Sequence, residues 1–242
     1  MEAFHIIISI VGACIPSIIW LFFFLPEDEH PEPKRLLFLT FGAGAFMSLF
    51  VLVVQYVFQQ TLVATYQNFI LLIVGLAVIE EVFKFFAAHW TVEHDPNFNE
   101  PVDGMIYMIV AALGFATVEN LFVISSSFSI ISTATIEIIV STLILRFIGA
   151  TLLHILASGI VGYYWAKGKM KHSVFVSVTF GIIIATFVHS VFNYLISEFQ
   201  DANLLIYPSI FLITAVFFVL VDFEKLKFDE EKGSSLTSEP KP

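Results

Sequence analysis

Charge is scarce in this chain of 242 residues. Asp, Glu, Lys and Arg together make up 13% of it, whereas hydrophobic residues make up 58%. Soluble domains carry about a quarter charged residues. The shortage of charge excludes an ordinary soluble protein and predicts a multi-pass integral protein of the cell membrane, with the lipid bilayer as a partner. Because no basic cluster is present to hold phosphates, we expect no nucleic-acid partner.

Cysteine is nearly missing as well, since the chain has only Cys14. A single cysteine forms neither an intrachain disulfide nor a metal cluster built on thiolates. The HExxH motif, in which two histidines of one helix bind zinc, does not occur either. A bound metal would therefore need histidine and carboxylate ligands from separate stretches of the chain.

Apolar runs of membrane-spanning length, by contrast, are abundant. About 20 helical residues cross the roughly 30 Å hydrocarbon core of a bilayer. Seven runs have about this length, at residues 3–25, 36–58, 68–90, 104–126, 142–166, 173–196 and 203–221. They predict an all-α polytopic membrane helix bundle of about seven transmembrane helices, forming one domain over residues 1–221. The polar remainder, residues 222–242, is predicted to be a disordered cytoplasmic tail.

The basic residues predict the orientation of this bundle. Lys and Arg are enriched in cytoplasmic loops. With seven spans, nine of them fall on one side of the membrane, in the first loop, the fifth loop and the tail, namely Lys34, Arg35, Lys167, Lys169, Lys171, Lys225, Lys227, Lys232 and Lys241. The predicted arrangement has the N-terminus outside and the C-terminus cytoplasmic.

Polar residues inside the predicted spans are the candidates for function, because such residues are costly in a bilayer. Four of the predicted spans contain such polar residues, namely Glu80, Glu81, Glu119, Asn120, His154, His189 and Asn193. Counted from the outer end of each span, four of these residues lie between the midplane and the outer half of the membrane, namely Glu80, Glu119, His154 and His189. We therefore expect these four residues to meet in one layer of the bundle.

Spacing within each helix limits which side chains can act together. Glu80 and Lys84 are four residues apart, so they share a helix face and can form an ion pair. His189 and Asn193 share a face for the same reason. Adjacent residues point about 100° apart on a helix. Consequently only one residue of each neighbouring pair, Glu80 with Glu81 and Glu119 with Asn120, can point at a given centre.

Several ordered motifs resemble the PrsW family of intramembrane proteases, over about residues 75–196. The matching stretches are IEEVFKF at 79–85, DGMIY at 103–107, GFATVEN at 114–120, Arg146 followed by His154, GYY at 162–164 and HSVFN at 189–193. The resemblance implies an intramembrane peptidase in which a glutamate activates water, within a superfamily that includes the type II CAAX prenyl endopeptidases. Bacterial members of the family clip a single-pass anti-sigma factor on its extracytoplasmic side, so a single-pass membrane protein is the implied substrate. The chain departs from the family pattern at Asn193, where an aspartate is frequent, and at Met108, where a glycine is usual.

Hydrolysis of a peptide bond gives the polar residues candidate roles. The reaction needs a base for water, an oxyanion stabiliser and an acid for the leaving amine. Either Glu80 or Glu81 is the candidate base. His154 and His189 are candidates for stabilising the oxyanion or for binding a metal, and the predicted catalytic set also includes Glu119 and Asn193.

Two cofactor interpretations stay open, with no cofactor in one and zinc in the other. A catalytic zinc site uses three protein ligands and an open position, and Glu119, His154 and His189 satisfy that requirement by residue type. A metal-free glutamate mechanism fits the paired carboxylates equally well. Lys84, Asn120 and Arg146 are predicted to support the site, although Arg146 could also snorkel towards the membrane surface.

Two other functional classes fit part of the pattern. A non-catalytic scaffold or regulator, similar to the seven-helix subunit of gamma-secretase, would also keep intramembrane histidines, but the glutamate pair argues against it. A transporter would place carboxylates and histidines near the midplane too. Transporters, however, often have two related halves, which this sequence does not show. The favoured interpretation is an intramembrane endopeptidase.

Overall fold

The protein consists of helices joined by short loops in the part of the chain that the computed structural model describes, which is residues 2–130, 144–199 and 205–237. The long helices, numbered in chain order, are α1 (Glu2–Phe24), α2 (Lys34–Phe58), α3 (Phe69–Val92), α4 (Asp103–Ile130), α5 (Leu152–Met170), α6 (Val174–Glu198) and α7 (Ile206–Thr237). A π-helical turn, Gln59–Val63, follows α2, and another, Arg146–Thr151, precedes α5. The predicted all-α membrane bundle is confirmed.

Six of these helical segments are long and apolar enough to cross a membrane, and they are Ile6–Glu27, Lys34–Tyr66, Asp103–Ser125, Arg146–Met170, Val174–Glu198 and Ile206–Lys232. Helix α3 has 24 residues, which is also sufficient length, but it carries three charged residues, Glu80, Glu81 and Lys84, at its centre. All three are buried inside the bundle, where other helices shield them from lipid. The predicted seven spans thus correspond to six strongly apolar helices and this polar-centred one.

Helix α4 occupies the middle of the bundle, and its residues from Asp103 to Ala116 are buried. Small residues allow its neighbours to approach closely. A Cβ atom added at Gly44 of α2 would overlap the carbonyl group of Ala111, and one at Gly162 of α5 would overlap the backbone at Gly104. Such small-residue contacts are typical of helix packing in membranes. The tight packing fixes α4, and with it Glu119 and Asn120, against α2 and α5.

Ion pairs join the loops and helix ends that the positive charges predict to lie on one side. His30 of the first loop lies 3.0 Å from Glu100 of the third loop. Lys169, at the end of α5, lies 3.5 Å from Glu93. Lys227 of α7 lies 2.9 Å from Glu27. These segments therefore meet at one end of the bundle, while the assignment of that end to the cytoplasm stays a prediction.

The prediction of a disordered tail from residue 222 needs correction. Helix α7 continues without a break to Thr237, and residues 238–242 lie outside the described part of the chain. The physical reason is packing, since Phe223 and Leu226 are fully buried against the core. Two lysine–carboxylate pairs add to this, including Lys167 with Asp229 at 2.6 Å. The composition of residues 222–242 indicated a polar segment and did not reveal that Phe223 and Leu226 form a buried apolar face of α7.

Candidate active site

Glu81 lies at the centre of a buried polar cluster formed by α3, α5 and α6. One carboxylate oxygen, Oε1, accepts hydrogen bonds from Lys84 Nζ at 2.7 Å and from His189 Nδ1 at 2.8 Å. The other oxygen accepts a longer bond, 3.4 Å, from the Ser158 hydroxyl. Glu81 and Lys84 have no solvent exposure. Every oxygen of Glu81 is thus engaged, which fixes its side chain and leaves it no access to an incoming water.

Glu80 points away from Glu81, as the helical geometry requires. Its Oε1 accepts a hydrogen bond of 2.9 Å from Gln55 Nε2 of α2. Its buried Oε2 has no hydrogen-bond partner among the described residues. That oxygen lies 3.8 Å from His154 Nδ1 and 3.6 Å from His189 Nε2. One oxygen of Glu80 is therefore held by Gln55, while the other faces two imidazole nitrogens and lies 3.9 Å from Lys84 Nζ, the ion pair that the i,i+4 spacing predicted.

His154 connects this buried centre to the outer part of the site. Its Nε2 lies 2.9 Å from Glu119 Oε2, and its Nδ1 lies 2.9 Å from Lys84 Nζ. A lysine ammonium has three donors and no acceptor. In this arrangement Nδ1 therefore accepts from Lys84, so the ring proton resides on Nε2 and is donated to Glu119.

Glu119, Asn120 and Arg146 form the most accessible part of the cluster. Arg146 Nη2 lies 3.1 Å from Glu119 Oε2, and Arg146 Nε donates to Asn120 Oδ1. Asn120 in turn donates to the Thr151 hydroxyl at 3.2 Å. The Glu119 side chain is 28% exposed, whereas that of Glu80 is 10% exposed. Water entering the cluster would meet Glu119 and Arg146 first.

Glu80, His154 and His189 have the donor set and arrangement of a metal site. One ligand atom of each lies within 4.8 Å of the others, and all three residues are buried. Metal–ligand bonds of about 2.0–2.1 Å would place tetrahedral zinc ligands roughly 3.3–3.4 Å apart. The 3.6 and 3.8 Å separations are close to that value. A small inward movement of the side chains, together with release of His154 Nδ1 from Lys84 Nζ, would reach that spacing.

The surroundings of the two histidines support this fit. Metal-binding histidines commonly donate their other ring N–H to a carboxylate, which orients the ring. Here His189 Nδ1 contacts Glu81 and His154 Nε2 contacts Glu119. Each ring thus directs its remaining nitrogen towards the unpartnered oxygen of Glu80. The residues present fit a divalent metal ion.

The residues that lie together differ from the predicted metal candidates, since Glu80 rather than Glu119 groups with His154 and His189. Glu119 contacts the Nε2 atom of His154, on the opposite edge of the ring from the Nδ1 atom that faces Glu80. It therefore cannot share a metal ion with that ligand atom. The sequence placed both carboxylates in one layer, but it did not establish which edge of the imidazole ring each would meet.

The cluster carries an excess of negative charge. Three carboxylates, Glu80, Glu81 and Glu119, face two basic side chains, Lys84 and Arg146. With both histidines neutral, one negative charge is left in a buried site. Such a charge is costly unless a cation or a proton neutralises it. The free oxygen of Glu80 is the natural place for either one.

The predicted meeting of Glu80, Glu119, His154 and His189 is what the structure shows, and Lys84, Asn120 and Arg146 contact them as predicted. Asn193 is half-buried, and no hydrogen bond joins it to the cluster in the described part of the chain. The sequence analysis overlooked Gln55, Ser158 and Thr151. Gln55 offered a signal, because it is an amide inside a predicted span. The two hydroxyl residues offered none, since serine and threonine are common in membrane helices.

Fold and site together define a class of protein. A bundle of membrane helices encloses carboxylates, histidines and an arginine that meet in its interior, and such intramembrane ionisable residues are by default functional. The composition of the site is that of a membrane-embedded hydrolase.

Comparison with known proteins identifies a family within this class of membrane-embedded hydrolases. Residues 32–221 match the family described as "PrsW family intramembrane metalloprotease". The chain is 26% identical to Protease PrsW of Oceanobacillus iheyensis over 211 residues, which cover 85% of this chain and 91% of that protein. It is 28% identical to Protease PrsW of Geobacillus kaustophilus over 194 residues, covering 78% and 80% of the two chains. Protease PrsW of Bacillus subtilis is 23% identical over 198 residues, covering 80% and 85%.

No solved structure matches the chain. The chain belongs to the PrsW family of intramembrane proteases, as its motifs suggested. It is accordingly a peptidase, and a multi-pass integral protein of the cell membrane.

Proposed function

We propose that the protein hydrolyses a peptide bond of a membrane protein substrate at the cluster centred on Glu80, His154 and His189. The observation that carries this proposal is the unpartnered, buried Oε2 atom of Glu80, which faces nitrogen atoms of both histidines. Lys84 Nζ lies 3.9 Å from this oxygen and forms an ion pair without a hydrogen bond, whereas buried polar groups of a packed core are normally hydrogen-bonded.

In the mechanism that we favour, Glu80, His154 and His189 hold a divalent metal ion. Zinc suits a set of two histidines and one carboxylate, and when bound there it would polarise a substrate carbonyl and lower the pKa of water. Glu81 orients His189 through the 2.8 Å contact with Nδ1. Lys84 neutralises Glu81 at 2.7 Å. These two residues are positioning residues, since neither has solvent access.

Glu119 and Arg146 are the groups placed to meet water and substrate. Glu119 is the most exposed of the three carboxylates, so we assign to it the removal of a proton from the attacking water. Arg146 is 17% exposed at the same opening and carries a fixed positive charge, which suits a developing oxyanion. Asn193 lies one helical turn outward from His189, where its amide can hydrogen-bond the substrate backbone.

A metal-free glutamate mechanism is the second candidate, and one contact favours it. Lys84 Nζ lies 2.9 Å from His154 Nδ1 and so uses the lone pair that a metal ion would need. In this version Glu80 is the general base, and the fixed positive charge of Arg146 stabilises the oxyanion, because the ring proton of His189 is already donated to Glu81. Removing metal from the purified protein distinguishes the two mechanisms, because activity of a metal-free enzyme would survive it.

The substrate class follows from the predicted topology. The site lies between the midplane and the outer half of the bundle, so cleavage is expected in or just outside the outer leaflet. A single-pass protein presents such a bond most simply, and site-1 cleavage of an anti-sigma factor is the specific form that the family resemblance suggests. A non-catalytic scaffold is disfavoured, because it would not need a free Glu80 oxygen.

Membrane proteomics tests this proposal directly. Membranes containing the wild-type protein should be compared with membranes containing a Glu80→Gln, Glu81→Gln double variant at matched abundance. Glu198→Gln, an exposed glutamate at the outer end of α6, is the matched control. We expect a fragment of a single-pass protein that depends on the wild-type or control protein. A substrate fragment that persists with the double variant would contradict the proposal.

A further inference from the structure

Three carboxylates lie close together at the end of the bundle where the loop after α1 meets the start of α4. They belong to Asp28, Glu32 and Asp103, and one oxygen of each lies within 4.8 Å of the others. These residues are 5%, 8% and 1% exposed, respectively. The group is separate from the cluster around Glu80, since Asp103 precedes Glu119 by more than four turns of α4.

Two of these side chains have an oxygen without a donor. Asp28 Oδ1 accepts from the backbone N–H of His30 at 2.9 Å, while Asp28 Oδ2 has no hydrogen-bond partner. Asp103 Oδ2 accepts from the backbone N–H groups of Asn99 and Glu100, both at 2.8 Å, while Asp103 Oδ1 has none. Both residues are more than nine-tenths buried. Their free oxygens therefore have no donor among the described residues of the protein.

The charge of this group is not balanced by a base. Glu32 accepts a hydrogen bond from the Tyr107 hydroxyl, which carries no positive charge. Across the described residues, the ion pairs of Lys and Arg leave Asp28, Glu32 and Asp103 without a basic partner. Three like charges this close require a neutralising cation or proton.

An acidic cavity of about 280 Å³ adjoins the group and gives it access to solvent. Asp28 belongs to both, and the cavity is lined by Glu27, Asp28, Glu29, His30, Glu100, Val102, Lys227, Glu230 and Glu231. A cleft dominated by one sign of charge concentrates counter-ions. The cavity therefore favours a small cation over an anionic ligand.

We propose that Asp28, Glu32 and Asp103 bind a hard divalent cation, with Ca²⁺ as the best match. Ca²⁺ takes six to eight oxygen ligands at about 2.3–2.6 Å, so two of its ligands are at most about 5 Å apart. The 4.8 Å limit on the carboxylate oxygens lies within that range. Water in the adjoining cavity would complete the shell. The bound ion would fasten the loop after α1 to the first turn of α4.

Terbium luminescence tests the proposal at this site specifically. Tb³⁺ substitutes for Ca²⁺ and emits when a nearby tyrosine or tryptophan is excited, and Tyr107 contacts Glu32 directly. Full-length protein in detergent, treated with chelator, should give a saturable signal that Ca²⁺ displaces. Mg²⁺ is added in a parallel titration, and we expect it to compete at least tenfold more weakly, because it demands a tighter shell.

Conservative variants make the result interpretable. Asp103→Asn and Glu32→Gln each keep an oxygen that can accept the present hydrogen bonds, but remove the charge. We expect each to weaken Tb³⁺ and Ca²⁺ binding at least tenfold. Glu29→Gln, an exposed change of the same charge in the same loop, should stay within twofold. Glu80→Gln should also leave the signal unchanged, because its site is elsewhere.

Several outcomes would overturn the proposal. One is the lack of a saturable, Ca²⁺-displaceable signal from the wild-type protein, which would mean that protons neutralise the group. Another is an equal loss of binding in Glu29→Gln, which would indicate a diffuse ion atmosphere. Binding that survives both Asp103→Asn and Glu32→Gln would place the ion at a different site.

Discussion

Replacing Gln55 with leucine removes the donor that fixes one oxygen of Glu80. The amide contacts Glu80 Oε1 at 2.9 Å, and Glu80 has no other hydrogen bond to a side chain in the described residues. A hydrogen bond to a charged group contributes about 1.5–3 kcal/mol, and each 1.4 kcal/mol corresponds to about tenfold. We therefore expect kcat/KM to fall about 10-fold to 100-fold.

The assay measures cleavage of a membrane substrate by purified protein in detergent or vesicles. Gln59→Leu is the matched control, because Gln59 lies four residues further along the chain, at the start of the π-helical turn after α2, with an exposed side chain. Thermal unfolding of both variants shows whether the fold is intact. A Gln55→Leu enzyme within twofold of wild type, alongside an inactive Glu80→Gln enzyme, would refute the positioning role of Gln55.

The remaining predictions concern a buried ion pair, a surface histidine and the membrane topology. Lys84→Met leaves Glu81 buried without its cation and should lower the free energy of unfolding by about 3–5 kcal/mol. Lys225→Met, which removes an exposed ion pair, is the control and should leave the unfolding temperature unchanged. Equal effects of the two substitutions on stability would contradict the argument from burial. The hydrogen bond that His30 donates to Glu100 raises the pKa of His30, so its stabilising effect is present at low pH and is lost as the pH rises through that raised pKa. Glu100→Gln should return the His30 pKa towards its ordinary value in an NMR titration, and an unchanged pKa would refute the assignment. In a Cys14→Ala background, Ser125→Cys should react with an impermeant thiol reagent from outside and Lys169→Cys only after the membrane is opened, while the reverse pattern would overturn the orientation.

The sequence predicted the fold well, because hydrophobic length alone determines where a helix can cross a bilayer. The positions of Glu80, Glu119, His154 and His189 along their helices also predicted that they would meet. The depth of a residue in the membrane follows from its position along its helix, so the sequence predicts it. The rotation of each helix about its axis is set by packing against neighbours, and the sequence did not reveal it.

The unknown rotation of each helix explains the two departures from prediction, which concern the carboxylate that faces the histidines and the C-terminal tail. Glu119 and Glu80 lie at similar depth, but the packing of α4 against α5 places Glu119 on the Nε2 edge of His154 and leaves the Nδ1 edge to Glu80. Similarly, Phe223 and Leu226 are spaced on one face of α7 and are buried by their neighbours. Their polar surroundings in the sequence concealed this contact, so the tail was predicted to be disordered.

Elemental analysis of the purified protein, combined with chelation, tests the central claim most directly. If Glu80, His154 and His189 hold a catalytic metal, the wild-type protein should contain about one zinc ion per chain, and Glu80→Gln and His189→Ala should contain little. Exhaustive chelation should abolish cleavage, and added zinc should restore it. A metal-free protein that retains full activity would contradict the metal site and assign the reaction to Glu80 as the base.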